Sequence, residues 1–348
     1  MLESTVKTMA RYDLTCRIGT PYDCTCTKMN INTTKALPPA NSVGYLGPPG
    51  TFTEEALLGQ SDLAQGKLVS FGSVSEVLAA TQQGEIELGF VPMENSIEGT
   101  VNVTLDHLIF DHDLFIQREV IIGVHLQLLA PAGLSLDSIS KVISFPVASA
   151  QCRGFLAKKI PNVEVIASNS TSEAASKISQ NKLKNTAAIA PALCAKLHNL
   201  EIIAKDIEDH KGNETRFVAV ARSTIAPPTG HDKTSIVCFQ DADRPGNLHT
   251  ILGQFAARGI NLTKLESRPT KKGLGDYCFV VDLEGHISDE IVADCLRELH
   301  AELRSVKFLG SYPAGGSSSH EKRRAASKAW EAGESWVASL RQRVRDIP

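Results

Sequence analysis

A threonine and an arginine stand side by side in Asn213-Glu214-Thr215-Arg216-Phe217. A hydroxyl that can donate a hydrogen bond, next to a permanent forked positive charge, suits a departing oxygen and a nearby anion. The same pair is ordinary on an exposed strand, so the reading depends on what accompanies it. Gly47-Pro48-Pro49-Gly50 ends the apolar stretch Val43-Gly44-Tyr45-Leu46, and Thr51-Phe52-Thr53-Glu54 opens a helix. That order aims backbone N–H groups of Gly50 and Thr51 at an anion. It reads equally well as a capped turn with no ligand, and it is not a Walker loop, because no Lys-Ser/Thr follows the glycines. Asn95 and Ser96 lie in a polar loop, residues 93–100, after the buried stretch Leu88-Gly89-Phe90-Val91. Such loops line the ligand crevice of open α/β sheets. Ser170-Thr171-Ser172-Glu173 is a capping box, and a capping hydroxyl can also face a ligand.

The elements that must position these groups alternate. Apolar strands near 43, 68, 88, 142, 163 and 187 are each followed by a helical stretch. Helices are expected over 101–109, 148–158 and 172–180, and residues 115–124 form a long strand crossing between lobes. The alternation calls for two doubly wound α/β lobes with a cleft between them. Lobe one spans about 43–118 plus 202–223, and lobe two about 119–201. After the linker 224–233, the order βαββαβ over 234–313 is the ferredoxin-like pattern. Residues 314–348 begin with a Gly/Ser spacer and continue as a basic helical tail with Trp330 and Trp336, expected to pack on the body or on another subunit.

Charge and hydropathy exclude some classes. Of 348 residues, 42% are hydrophobic, and the net charge is −3, so bulk charge recruits neither nucleic acid nor membrane. No apolar run reaches the ~20 residues that span a bilayer. Residues 1–42 read as a disordered leader. A targeting peptide competes with that reading, weakened by Glu3, Asp13 and Asp23. Cys24-Thr25-Cys26 is a weak metal signal without a second ligand pair. Cys152, Cys194, Cys238, Cys278 and Cys295 sit singly in apolar patterns, as buried thiols of a reducing, cytoplasmic setting do.

With these stretches in order, the chain resembles the prephenate dehydratases, of the monofunctional type with a C-terminal ACT domain. The resemblance covers about residues 43–313. It is carried by Gly47-Pro48-Pro49-Gly50-Thr51-Phe52, the segment 92–101, Gln151-Cys152, the segment 170–174 and Asn213-Glu214-Thr215-Arg216-Phe217. Pro245-Gly246-Asn247-Leu248 and Glu266-Ser267-Arg268-Pro269 carry it in the second module. Two positions depart from the family pattern. Phe145 stands where the family has His, and Asn247 where it has Ala.

The resemblance implies a two-lobed, periplasmic-binding-protein-like catalytic domain over 43–223 and an ACT domain over 234–313. It implies conversion of prephenate to phenylpyruvate, carbon dioxide and water, with no metal or other cofactor. Thr215 would donate to the leaving hydroxyl and Arg216 would hold a substrate carboxylate. Gly50, Thr51, Asn95, Ser96, Ser170 and Thr171 would complete the polar wall, with Phe217 packed beneath. The effector would be L-phenylalanine, held by Gly246, Asn247, Leu248, Glu266, Ser267, Arg268 and Pro269. A homodimer or homotetramer through ACT domains is expected. Glu266 faces either the effector ammonium or a basic neighbour. Two alternatives stay open: an arogenate dehydratase, separated by assaying both substrates, and a catalytically silent amino-acid sensor, opposed by the intact Thr215, Arg216, Asn95 and Thr171.

Overall fold

The structure is a computed structural model that describes residues 40–240, 244–273, 275–315, 333 and 335–343. Residues 1–39, with the three cysteines of the expected leader, and Trp330 lie outside the described residues; Ala40 is buried, Ser42 opens the first strand, and Trp336 is exposed.

Three sheets organise the described chain. The first runs Lys67–Phe71, Ser42–Leu46, Leu88–Asn95, Glu214–Ala221, Phe115–Gly123, with the two-residue strand Gly99–Thr100 folded back on Leu88–Asn95. Ser42–Leu46 pairs parallel with both neighbours, whereas Glu214–Ala221 runs antiparallel to both of its own. The second sheet runs Glu201–Ala204, Gln127–Ala130, Thr186–Ala190, Lys141–Ser144, Glu164–Ala167. Helices cover both sheets, which are therefore the two lobes of an α/β fold. The expected lobe boundaries at 118 and 202 shift. Phe115–Gly123 belongs wholly to the first sheet and Glu201–Ala204 to the second, so the chain crosses at 124–126 and returns over 205–213.

The third sheet runs Leu262–Pro269, Tyr277–Glu284, Asp232–Phe239, Ser305–Pro313, all antiparallel. Helices Asn247–Ala257 and Glu290–Glu302 cover one face through Ile251, Phe255, Val292, Cys295 and Leu299. The opposite face, with Val237, Val280 and Tyr312, joins Val91, Met93, Val218 and Val220 of the first sheet in one buried cluster. Gly310 permits part of this contact. Its φ is 139°, and a Cβ there would stand 2.6 Å from the Ile116 carbonyl oxygen.

Two helices differ from expectation. The one expected over 101–109 is α-helical at Asn102–Asp106 and continues as a π-helical turn, His107–Asp111. The one expected over 148–158 breaks at Cys152 into Pro146–Gln151 and Arg153–Lys159. Asp209 explains the break. Its carboxylate accepts from the N–H groups of Gly154 at 2.7 Å and Phe155 at 3.0 Å, satisfying two donors at the start of a fresh helix.

Candidate active site

A cavity of about 770 Å³ lies between the two lobes. The return strand Glu214–Ala221 brings Thr215 into it, and register places Asn95 directly opposite on the neighbouring strand. The Asn95 side-chain amide donates to Thr215 Oγ1 at 2.9 Å and to Asn213 Oδ1 at 2.8 Å. Its own Oδ1 accepts from the N–H groups of Ile97 and Glu98, both at 3.0 Å, which fixes which end of the amide faces Thr215. The Thr215 oxygen is thus an acceptor toward Asn95, and its proton is left to donate into the cavity. A hydroxyl that accepts one hydrogen bond is a better donor of the next. Phe217, one strand period on, stacks on Phe90 with centroids 5.6 Å apart and planes 8° from parallel. It is 1% exposed and forms the floor.

The other lobe supplies Thr171, Ser170, Gln151 and Phe145. Ser170 Oγ accepts from Glu173 N at 2.9 Å, capping helix Thr171–Asn181. Thr51 caps Phe52–Leu58 in the same way, with Glu54 N at 3.4 Å from Thr51 Oγ1. These caps, with Pro146–Gln151, bring three helix N-termini to the cavity wall. Asn213, 3% exposed, ties the lobes together by donating to Gln151 Oε1 at 3.0 Å.

Arg216 is not in this wall. Adjacent residues of a strand point to opposite faces, and with Thr215 turned to the cavity Arg216 is turned away. It is 8% exposed. Its Nη1 lies 2.7 Å from Asp282 Oδ2, and its Nη2 donates to the Tyr312 hydroxyl at 2.8 Å. Its Nε is in ion-pair contact with Glu119 at 2.6 Å, out of line for a hydrogen bond. Burial alone would raise the Asp282 carboxyl. The Arg216 charge and the Ser235 hydroxyl outweigh it and hold that carboxyl below the usual range. The expectation that Arg216 holds a substrate carboxylate is therefore corrected: its guanidinium is held by Asp282 and Tyr312 of the third sheet and by Glu119 of the first.

Two further positions stand behind the wall. Gly50 N–H donates to Glu54 Oε2 at 2.5 Å, so it is not offered to a ligand, and Gly50 packs on Ser172 and Cys194. Ser96 donates to Asn213 Oδ1 at 3.2 Å and accepts from Glu214 N at 3.0 Å, bracing the loop rather than lining the cavity. Among the described residues, no Lys, Arg or His lines the cavity. The lining acids are Glu98, which is exposed, and Glu173. Lys177, with the Ser168 hydroxyl and Asn169 N–H, holds the Glu173 carboxyl below its usual range, against slight desolvation. His125, Asp206 and Glu208 bring ligand atoms within 4.8 Å of one another near the lobe crossing, outside the cavity lining. Glu208 is already used by Leu126 N–H and His125.

Comparison with known proteins decides the family. The family model described as prephenate dehydratase matches residues 43–225, more than half of the chain, and the ACT domain model matches 234–301. The chain belongs to the prephenate dehydratase family. It is 38% identical over 311 residues to the prephenate dehydratase of Mycolicibacterium gilvum, covering 86% of this chain and 98% of the relative. A solved prephenate dehydratase from Arthrobacter aurescens, in complex with L-Phe, superposes with a TM-score of 0.77 at 35% identity over 86% of this chain and 99% of that one. A structure described as GqqA, a novel type of quorum quenching acylase, superposes with a TM-score of 0.70 at 29% identity, covering 79% and 98%.

The prephenate dehydratase ACT motif divides by the same strand alternation. Ser267 lines a small pocket of about 220 Å³ with Gln240 and Tyr277. Pro269 and Leu248 are exposed, Gly246 has φ 91° at the helix start, and Asn247 donates to Gln240 Oε1 at 2.6 Å. Glu266 and Arg268 point the other way, at the catalytic domain. Glu266 Oε2 accepts from the Thr100 hydroxyl at 2.6 Å and lies 3.3 Å from Lys264. Arg268 donates to Asn102 at 2.5 Å and pairs with Asp106. Of the alternatives for Glu266, the basic neighbour is the one observed.

Sequence reasoning did not single out Asn213, Gln151 and Thr100 as site residues. Asn213 and Gln151 sat inside quoted motifs, and their polar, non-capping character next to strand and helix ends was the available signal. The Thr100 contacts come from the ACT domain, and no local signal announces them.

Proposed function

We propose that this chain converts prephenate to phenylpyruvate, carbon dioxide and water in the cavity between its lobes, with Thr215 as hydrogen-bond donor to the leaving ring hydroxyl. The ring C–O bond breaks, the bond to the ring carboxylate breaks, and the electron pair released by decarboxylation enters the ring and makes it aromatic. The departing oxygen becomes water by taking up a proton. Aromatisation drives the step, so the protein has only to place the substrate and ease the hydroxyl away. The Thr215 proton, left unused by the Asn95 contact, is aimed at that oxygen. The observation that carries the reading is the Asn95 amide donating to Thr215 Oγ1 at the cavity wall. A placed donor of this kind contributes ~10²–10⁴ in rate.

With Arg216 turned away, the two substrate carboxylates fall to neutral donors. The helix starts at Thr51–Phe52 and Ser170–Thr171 present hydroxyls and unpaired first-turn N–H groups, and their dipole ends favour anions. Phe145 gives the rim an aromatic edge where a charged ring would otherwise stand. L-Phenylalanine is proposed as the effector, entering between the Gly246 helix start and Ser267, on the face away from Glu266. Pairing of ACT modules across the strand edge Leu262–Pro269 would give a homodimer or homotetramer, and cytoplasmic residence fits the buried thiols.

Acylase chemistry, named for one structural neighbour, calls for a nucleophile activated by a base. Among the described residues the lining holds neither His nor Cys, and the carboxylate of the lining Glu173 is taken by Lys177, Ser168 and the Asn169 N–H. The experiment is phenylpyruvate formation from prephenate by the wild-type chain and by Thr215→Val. A Thr215→Val protein that folds and turns over at the wild-type rate refutes the assignment. Parallel assays with arogenate fix the substrate preference.

A further inference from the structure

We propose that Lys264 and Glu266 of the regulatory module are positioning residues for the dehydratase site, gripping the Thr100 hydroxyl from behind and so setting the hairpin that carries Asn95. The inference rests on the function proposed above. Thr100 lines the cavity, and its hydroxyl proton is committed away from the cavity. It donates to Glu266 Oε2 at 2.6 Å and accepts from Lys264 Nζ at 2.7 Å. The Lys264 side chain is only 9% exposed, so its ammonium is held by partners rather than by water. Those partners are Thr100, Glu266 at 3.3 Å and Glu94 at 3.2 Å.

Register makes the grip bear on the chemistry. Thr100 pairs with Glu94, and Gly99 with Asn95, in one short hairpin. Glu94 faces back toward Lys264 and Arg216, while Asn95 faces forward and donates to Thr215. The ammonium therefore holds the rear of a two-strand unit whose front orients the proposed donor. Strand Leu262–Pro269, which carries Lys264 and Glu266, also carries Ser267 on its other face, beside the proposed effector pocket. A shift of this strand loosens Thr100 first and Asn95 next. A misplacement of about 1 Å at a reacting group costs on the order of a hundredfold in rate.

The test compares Lys264→Met, Thr100→Val and the double variant, with Glu266→Gln as a further single. Steady-state phenylpyruvate formation and amide hydrogen exchange of residues 93–101 are both read. Each single variant is expected to lower kcat about tenfold to a hundredfold with KM within about twofold. The double variant is expected to be no worse than the worse single, because both changes cut the same link. Lys264→Arg recovers part of the loss. Exchange over 93–101 rises in Lys264→Met while residues 42–58 keep wild-type protection. Multiplying kcat losses in the double variant, or wild-type exchange over 93–101 in a folded Lys264→Met protein, overturns the proposal. Should Lys264→Met fail to fold, Thr100→Val and Glu266→Gln decide by the same two readings. If the wild-type chain leaves prephenate untouched, the dehydratase reading fails on its own, and the exchange comparison still decides whether Lys264 holds the hairpin.

Discussion

Replacing Arg216 with Met separates a binding role from the buried one seen here. The substitution keeps the aliphatic stem and removes a guanidinium that is 8% exposed and surrounded by Asp282, Glu119, Tyr312 and Glu94. Breaking a buried pair by deleting one partner costs about 3–5 kcal/mol, because the remaining charges lose their counter-ion inside the protein. For a chain of this size that corresponds to a fall in Tm of roughly 4–7 °C. The pH dependence carries a second signature. In the wild type the Asp282 carboxyl is held low despite its burial, mainly by Arg216. Without Arg216 it binds a proton at higher pH, so the stability gap between variant and wild type is widest near neutrality and narrows as pH falls. Urea melts between pH 7 and pH 3, with steady-state kinetics at each end, read both signatures. Adding Asp282→Asn to Arg216→Met restores part of the loss. A variant with wild-type stability and a KM for prephenate raised a hundredfold would refute this account and return Arg216 to the substrate.

The remaining predictions concern stability and reactivity. Gly50→Ala is expected to cost about 1–3 kcal/mol, since φ is 91° and the new Cβ would meet Ser172 Oγ at 2.7 Å and Cys194 Sγ at 3.0 Å. Gly133→Ala, with φ 78° in open space, is expected to cost only about 1 kcal/mol in the same urea melts. Asp282, Asp106 and Asp62 all have folded pKa values below the ordinary one, against the effect of burial and because of Arg216, of Arg268 with Lys271, and of Arg118. Their contribution to stability is therefore complete above about pH 3.9 and lost as pH falls further through the depressed values. A melt series that stays flat to pH 2 would contradict it. Burial pushes the thiols of Cys152, Cys194 and Cys238 up to about 12 and those of Cys278 and Cys295 up to about 11. Alkylation of the native protein at pH 8 is expected to modify none of these five, counted by mass against a denatured control.

Much of the fold was legible because its signals are local. Ser73 and Ser170, each three residues before a glutamate, cap helices as their spacing predicts. The βαββαβ order follows from apolar runs and turn residues, and so does the strand Phe115–Gly123, although it stays in the first sheet and the crossing comes after it. What was misjudged is instructive. The run Glu214–Ala221 reads as a strand, and period-two alternation by itself forbids Thr215 and Arg216 from sharing a face. Glu266 and Ser267 divide for the same reason. The break at Cys152 was not legible, because its cause, Asp209, lies 55 residues beyond Gly154 in the chain. Nor could any local pattern pair Arg216 with Asp282 or Thr100 with Lys264, since packing the third sheet on the first is what creates those contacts.

That packing has a practical outcome. Val91, Met93, Val218 and Val220 on the rear of the catalytic sheet are sealed by Val237, Val280 and Tyr312 of the ACT domain. A fragment ending near residue 225 would present this aliphatic surface to water together with an Arg216 guanidinium stripped of Asp282 and Tyr312. Truncation would thus remove one wall of the catalytic domain's own interior, so whatever the ACT domain contributes has to be probed by point substitution in the intact chain.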